Sequence, residues 1–127
     1  MNTKVGCIAV NNDKTILSVG YNGFVRNCDD SIKERYQRPL KYFYTEHAER
    51  NMIFNAVRSG VNLKDSTIYI STMFTCADCA RAIIQSGIKK VISYKPDFNL
   101  EKWGEHFKIS EEMFKEAGIE VIYVEKE

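Results

Sequence analysis

After a first pair of strands, the chain alternates β-favouring runs with helical segments, and this alternation restricts its folds more than any other feature. Two apolar runs, Lys4 to Val10 and Thr15 to Tyr21, flank a polar Asn-Asn-Asp-Lys tetrapeptide that predicts a hairpin. Later elements are predicted helices from Thr45 or Glu46 to Ser59, Thr75 to Ser86 and Ile109 to Ala117, and strands from Thr67 to Thr72, Lys90 to Tyr94 and Glu120 to Val124. The order ββαβαβαβ predicts an α/β domain whose helices pack against one mixed sheet, with right-handed crossovers.

The size and charge of the chain limit the classes of function. The 127 residues fit one domain, spanning 1–127. Eighteen Lys and Arg against 17 Asp and Glu give a net charge of +1, which argues against a long nucleic acid as ligand. No apolar stretch has the length of a transmembrane helix or the layout of a signal peptide. The sequence therefore predicts a cytoplasmic protein whose four cysteines are metal ligands, catalytic groups or core residues rather than disulfides.

Three candidate metal ligands stand at the starts of two predicted helices. His47 lies in the first turn of one helix, and Cys76 and Cys79 lie in the first turn of the next. Zinc binds imidazole and thiolate well, and three protein ligands with an open fourth position are typical of a catalytic site. A helix N-terminus also stabilises the thiolate form of cysteine. The set therefore predicts a catalytic zinc ion.

Glu49 makes this set more specific, because it lies two residues after His47. Zinc lowers the pKa of a bound water to about 7, and a carboxylate beside that water can take its proton and deliver it elsewhere. Hydrolytic deamination needs both parts, for attack at C4 of cytosine and for protonation of the ring nitrogen and the departing ammonia. His-x-Glu followed by Pro-Cys-x-x-Cys is the signature of zinc deaminases, and this chain has all of it except the proline, where Thr75 stands. Taken alone, Cys76 and Cys79 would equally suit a redox or structural zinc protein, and a helix-start histidine with two packed cysteines is the remaining alternative.

Three stretches of the chain resemble the cytidine and deoxycytidylate deaminase superfamily, and within it the deoxycytidylate branch most closely. They are Gly20-Tyr21-Asn22-Gly23-Phe24, His47-Ala48-Glu49-Arg50-Asn51, and Cys76-Ala77-Asp78-Cys79-Ala80 continuing to Gln85-Ser86-Gly87-Ile88. The resemblance implies a three-layer α/β/α fold with a five-stranded mixed sheet. It also implies zinc at His47, Cys76 and Cys79, and deamination of deoxycytidylate (dCMP) to dUMP and ammonia, supplying thymidylate synthesis, with Glu49 as proton shuttle.

The resemblance further implies contacts with the substrate. Asn22 would hold the sugar, and the main chain at Ala48 would recognise the edge of the base. Arg26 follows the glycine-aromatic turn and is a hypothesis for the phosphate ligand, with a solvated loop arginine as the alternative. Phe74, beside the cysteine loop, is a candidate for the pocket wall.

The chain departs from the family pattern at Thr75, where the family has proline. With Asp78 three residues later, Thr75 predicts a capping box for the cysteine helix. The family's first helix is also missing ahead of the first strand, so a partner subunit or other segments would cover one face of the sheet. The resemblance favours a homo-oligomer and allows dCTP and dTTP as effectors, but predicts no second metal here.

Other functions remain open at this point. The substrate of the same chemistry could be cytidine, another cytosine nucleotide or an RNA base. A protein of a different class, a non-catalytic zinc or redox protein, would need Cys76 and Cys79 but not the Glu49 carboxylate.

Overall fold

A five-stranded mixed sheet forms the centre of the fold in a computed structural model that describes residues 5–71 and 74–125. In chain order the elements are β1 (Gly6–Val10), β2 (Ile16–Tyr21), β3 (Gly23–Phe24), α1 (Lys41–Tyr44), β4 (Thr45–Glu46), α2 (Ala48–Ser59), β5 (Thr67–Ile70), α3 (Ala77–Gln85), β6 (Lys90–Tyr94), α4 (Gly104–Glu116) and β7 (Glu120–Val124). The strand order is β2-β1-β5-β6-β7, in which β1 is antiparallel to both neighbours and β5, β6 and β7 run parallel. The predicted hairpin, α/β class and five-stranded mixed sheet are confirmed.

The helix starts differ from those predicted. Thr45 and Glu46 pair with Phe24 and Gly23 as a two-stranded ribbon, so α2 begins only at Ala48. The helix α4 begins at Gly104, five residues before the predicted start at Ile109. Glycine is a poor helix former, which hides this start in the sequence. Its lack of a side chain is needed there, because a Cβ at Gly104 would lie 2.2 Å from the Phe98 carbonyl oxygen. Thr72, the predicted end of the third strand, lies outside the described residues.

The long polar connection between β3 and α1 contains ordered structure. A 3₁₀ turn spans Lys33–Tyr36, and the Phe24 ring packs against the rings of Tyr36 and Tyr44 with centroid distances of 5.4 and 5.5 Å. These aromatic contacts hold the connection and α1 against the β3–β4 ribbon. The segment just before α2, which includes β4, is thereby held in place.

The three long helices lie side by side on one face of the sheet. The β5-α3-β6 and β6-α4-β7 connections step in the same direction across the sheet, so right-handed crossovers place α3 and α4 on the same face. The α2 helix contacts α3 and packs on β2 and β1. Met52, Ile83, Phe107 and Phe114 from these helices are fully buried in one apolar core with alternate strand residues such as Ile68. This packing brings the N-termini of α2 and α3 together.

The opposite face of the sheet carries an apolar row that crosses all five strands. The row consists of Val19, Ile8, Tyr69, Ile92 and Ile122, which are neighbours in register from β2 to β7. Val19 is 48% exposed and the other four are partly exposed. The long helices thus account for one of the two helical layers of the predicted α/β/α arrangement. None of the described helices has the length and apolar character needed to cross a membrane.

Candidate active site

Two helix starts bring the predicted metal ligands together. His47 is the N-cap residue of α2 and Cys76 is the N-cap residue of α3, each with extended backbone, while Cys79 lies in the first turn of α3. His47 Nδ1 lies 3.2 Å from Cys79 Sγ and 3.4 Å from Cys76 Sγ. All three ligand atoms fall within 4.8 Å of one another. The sequence-predicted triad is therefore one cluster.

The cluster fits a zinc ion. Zn–N and Zn–S bonds of the usual lengths at a tetrahedral angle separate a nitrogen and a sulfur ligand by about 3.6 Å, close to the distances from His47 Nδ1 to the two sulfur atoms. One ring nitrogen carries at most one hydrogen, so His47 Nδ1 cannot donate to Cys76 and Cys79 at the same time. One imidazole and two sulfur ligands are the donor set that zinc prefers. These three residues would hold the zinc of this protein.

The protonation of the cluster also favours a cation. Hydrogen bonds from the Cys79 thiol and from His47 lower the pKa of Cys76 to about 4, against the opposing effect of burial. The same sulfur–sulfur interaction and burial raise the pKa of Cys79, and the hydrogen bond to Cys76 raises the pKa of His47. Cys76 is therefore a thiolate at neutral pH, and thiolate is the form of cysteine that binds metal.

The Glu49 carboxyl group is buried beside the cluster. Glu49 is 4% exposed and lines the same cavity as His47 and Cys76, without being part of the ligand cluster found among the described residues. Burial raises the pKa of its carboxyl group, while hydrogen bonds at its own backbone and with the Thr75 hydroxyl oppose the rise. Such a carboxyl group can hold or release a proton near neutral pH more readily than an exposed one.

A cavity of about 340 Å³ opens in front of Glu49 and His47. Its walls include the predicted substrate residues Asn22, Ala48 and Phe74. The Asn22 side-chain oxygen accepts a hydrogen bond from the Val5 backbone N–H at 3.0 Å, which fixes the amide group. Ala48 is the first residue of α2, where backbone N–H groups have no partner within the helix. This N–H is therefore available to a ligand in the cavity.

Phe74 joins the cavity wall to the core. Its ring makes edge contacts with the rings of Phe107, Phe114 and Tyr123, with centroid distances of 6.0, 6.1 and 5.6 Å. Phe107 also lines the cavity. The predicted wall position of Phe74 is thus rigid on the core side.

Arg26 lies apart from these residues. It is exposed, is not among the residues that line the cavity, and donates a hydrogen bond of 2.5 Å to the side-chain oxygen of Asn55. Asn55 in turn donates to the Val19 carbonyl oxygen on the edge strand β2. In this structure Arg26 is part of a surface contact between β2 and α2, and its role toward phosphate stays a prediction.

The cavity contains three basic residues that sequence reasoning missed. Arg38, Lys41 and Lys102 line it together with Tyr42 and Trp103. Arg38 and Lys41 precede His47 closely in the chain, which was a usable signal. Lys102 comes from the loop before α4, and only the folded chain brings it to the site.

The predicted capping box at Thr75 is wrong. The N-cap of α3 is Cys76, no side chain caps this helix, and Thr75 is buried with its hydroxyl 3.4 Å from the Cys76 carbonyl oxygen. His106 instead accepts a hydrogen bond from the Ala77 backbone N–H through Nδ1 at 3.2 Å. The partner of the helix start thus comes from α4, which is distant in sequence.

Comparisons with known proteins agree with this site. Residues 1–95 match the family model described as the cytidine and deoxycytidylate deaminase zinc-binding region. The chain is 40% identical over 126 residues to an "uncharacterized deaminase in luxG 3'region" of Aliivibrio fischeri, covering 96% of this chain and 80% of the relative. It is 38% identical over 96 residues to human deoxycytidylate deaminase, covering 72% of this chain and 52% of the relative. The chain therefore spans about half the length of the human protein.

Solved structures show the same fold. The dCMP deaminase of cyanophage S-TIM5 in its apo form superimposes with a TM-score of 0.70 at 25% identity, covering 94% of this chain and 79% of that chain. The complex of that enzyme with dCMP and dUMP gives a TM-score of 0.74 at 24% identity, covering 98% and 83%. With the family match over residues 1–95 and the converged His47, Cys76 and Cys79 cluster, the chain belongs to the zinc-dependent cytidine and deoxycytidylate deaminase family.

Proposed function

We propose that this protein catalyses the hydrolytic deamination of dCMP to dUMP and ammonia. The observation that carries the proposal is the buried Glu49 carboxyl group in one cavity with the His47, Cys76 and Cys79 cluster. The choice of dCMP is supported by the 38% identity to human deoxycytidylate deaminase and by the fold shared with a phage dCMP deaminase.

The metal ligands and Glu49 have separate tasks. His47, Cys76 and Cys79 hold zinc, which when bound supplies a water acidic enough to act as a nucleophile near neutral pH. Glu49 takes the proton of the attacking water and delivers it to the ring nitrogen of cytosine. A second transfer through Glu49 protonates the departing amino group, so that one water is consumed and one ammonia is released. The raised pKa of the buried carboxyl group lets it hold each proton between the two transfers.

The cavity walls orient the substrate. The N–H of Ala48 donates to the oxygen at the edge of the cytosine ring, because it has no partner within α2. Asn22, fixed by its hydrogen bond with Val5, contacts the sugar. Phe74 closes the apolar side of the cavity and excludes water from the base. Arg26 was the sequence-based choice for the phosphate, and its place outside the cavity favours other residues for that role.

The direct test follows conversion of dCMP to dUMP by the zinc-loaded protein, with Glu49→Gln as the matched variant. We expect turnover that falls by at least about 100-fold in the variant, because a positioned proton carrier contributes about 10²–10⁴-fold. The zinc content should stay the same, since Glu49 lies outside the ligand cluster.

Other outcomes of this test identify the alternatives. Absence of dCMP turnover with zinc bound would overturn the substrate assignment, and dCTP, cytidine and structured RNA would be tested next. An RNA substrate would show strong salt dependence of binding, because several phosphates are contacted at once. A function that survives Glu49→Gln but not loss of Cys76 or Cys79 would indicate the non-catalytic zinc or redox class.

The apolar row supports a homo-oligomer. Contiguous exposed apolar surface marks interaction sites in soluble proteins, and a second copy of the chain would cover Ile8, Tyr69 and Ile92 on the sheet face without long helices. Light scattering should then give a mass above that of one chain, and Val19→Lys should shift it toward the monomer. A monomeric wild type would contradict the proposal.

Effector roles for dCTP and dTTP, a cytoplasmic location and a single domain over 1–127 stay predictions.

A further inference from the structure

A group of basic side chains lines the active-site cavity. We call Arg38, Lys41 and Lys102 the cationic rim. Arg38 and Lys102 are exposed and Lys41 is partly buried, so all three present charge to a ligand that enters from solvent. Arg26, the sequence-based candidate for an anion, is not part of this lining.

The positive charge of the rim is not neutralised within the described part of the chain. The ion pairs there are Arg50–Glu46, Arg81–Asp78 and Lys90–Glu120, and none of them includes a rim residue. The only carboxylate among the described residues that line the cavity is Glu49, which is buried. The cavity lining therefore attracts anions, because the potentials of like charges around one cleft add up.

Aromatic side chains hold the rim in place. The Lys102 ammonium group donates a hydrogen bond to the Tyr42 hydroxyl and lies 4.4 Å from the centre of the Tyr42 ring. The Arg38 guanidinium lies 5.6 Å from the same ring, so Tyr42 organises two of the three cations. A hydroxyl that accepts from Lys102 can still donate its own hydrogen to an anion.

The rim stands at a defined position relative to the metal cluster. Lys102 Nζ lies 5.1 Å from the centre of the Trp103 ring, and that ring lies 6.4 Å from the His47 ring in an edge-on arrangement. Lys102 and the metal ligand His47 thus lie beside the same indole ring, which lines the cavity with them. A nucleotide can reach both groups at once, because one sugar joins its reacting base to its phosphate.

We propose that Arg38, Lys41 and Lys102 bind the 5′-phosphate of the substrate and make the enzyme selective for a nucleoside monophosphate over the nucleoside. This proposal rests on the proposed deaminase function and replaces Arg26 as the phosphate ligand. Three cations with a hydroxyl donor suit the two negative charges and the oxygens of a phosphate monoester. The residues act on specificity, while Glu49 and the metal ligands act on the reaction.

The test compares dCMP with deoxycytidine as substrates of the zinc-loaded enzyme. We expect Lys41→Gln, Lys102→Gln and Arg38→Gln each to lower kcat/KM for dCMP by about 10- to 100-fold, mainly through KM, which is the usual effect of losing a hydrogen bond to a charged group. The kcat/KM for deoxycytidine should not change, because the nucleoside has no phosphate. Lys102→Arg should restore most of the dCMP activity, which a general loss of structure would not allow.

Arg26→Gln is the matched control, since it removes one positive charge outside the cavity. In this variant the ratio of kcat/KM for dCMP to kcat/KM for deoxycytidine should equal that of the wild type. The proposal would be overturned if this ratio of kcat/KM values falls in Arg26→Gln and stays unchanged in the rim variants. Equal losses for dCMP and deoxycytidine in the rim variants would also overturn it.

A binding measurement separates this proposal from the proposed function. Calorimetric titration with dUMP and with deoxyuridine reports the phosphate contribution without any turnover. If no cytosine compound is deaminated, the proposed function fails. Phosphate binding by the cationic rim would still be supported if the wild type binds dUMP more tightly than deoxyuridine, and if this difference is lost in Lys102→Gln and kept in Arg26→Gln. If the wild type binds dUMP and deoxyuridine with equal affinity, the proposed phosphate binding by the rim would be overturned.

Discussion

The imidazole of His106 accepts a hydrogen bond from the backbone N–H of Ala77, with 3.2 Å between Nδ1 and the nitrogen. Ala77 follows Cys76 directly, and α3 has no side-chain cap of its own. His106 thus satisfies one of the helix-start N–H groups that would otherwise lack a partner. It also ties the start of α3, where Cys76 is the N-cap residue and Cys79 lies in the first turn, to α4.

His106→Ala should weaken zinc binding by about 10-fold or more, because residues that orient metal ligands typically contribute about 10- to 100-fold in affinity. The variant loses the hydrogen bond with Ala77, so the backbone around Cys76 becomes more mobile. Zinc binding must then order this segment, and the lost conformational entropy lowers the affinity. Competition with a zinc-chelating dye measures the affinity directly.

His106→Asn provides the control, since an amide oxygen can accept the same hydrogen bond from Ala77. Its zinc affinity should lie between those of the wild type and His106→Ala. If both variants bind zinc as tightly as the wild type, the contact has no positioning role.

Local spacing explains why the sequence predicted the metal cluster so well. Cys76 and Cys79 are separated by two residues at a helix start, and Glu49 is fixed by its distance from His47 in the chain. Only one long-range relationship, the approach of α2 to α3, had to be supplied by the fold. The strand–helix alternation predicts a mixed sheet with right-handed crossovers, whereas the strand order β2-β1-β5-β6-β7 and the contact between α2 and α3 come from the structure.

Residues that act through the fold alone escaped prediction. Lys102 and His106 lie on either side of Gly104, the first residue of α4. Because glycine is a poor helix former, the sequence predicts a later start for this helix. Arg26 was selected because it follows a motif, but its side chain turns to Asn55 on the surface of α2. Proximity to a motif in sequence therefore does not by itself distinguish Arg26, which lies outside the cavity, from Arg38 and Lys41, which line it.

The close approach of α2 to β2 depends on Gly20. A Cβ at this position would lie 2.3 Å from the Met52 backbone nitrogen and 2.4 Å from the Ala48 carbonyl oxygen. Both are backbone atoms of α2, so Gly20→Ala must push the helix away from the strand. We expect a loss of about 1–3 kcal/mol or more in the free energy of unfolding, measured by urea denaturation. Catalytic activity should fall as well, because α2 carries Glu49.

Gly23→Ala is the matched control for this change. A Cβ at Gly23 meets no heavy atom within 4 Å, and its backbone needs no positive φ. Its free energy of unfolding should stay within about 0.5 kcal/mol of the wild type, as is usual for surface changes. Equal stability of the two variants would mean that the helix–strand contact adjusts without cost.

Zinc removal should lower the thermal stability of the protein. A ligand that binds only the folded state stabilises it by about 2.7 kcal/mol at a concentration 100-fold above its Kd. Folding alone brings His47, Cys76 and Cys79 together, since they come from two separate helices. We expect excess chelator to lower Tm by about 10 °C, the order of shift that this free energy produces in a domain of this size, as measured by differential scanning fluorimetry.

The chain offers a matched pair of cysteine variants for this experiment. Cys28 is exposed and lies outside the ligand cluster, so Cys28→Ser should show the same chelator-induced decrease in Tm as the wild type. Cys76→Ser removes a ligand, and its Tm should be low already and insensitive to chelator. A decrease in Cys76→Ser as large as that in Cys28→Ser would show that the stabilising metal binds elsewhere, and the assignment of the site to α2 and α3 would be wrong.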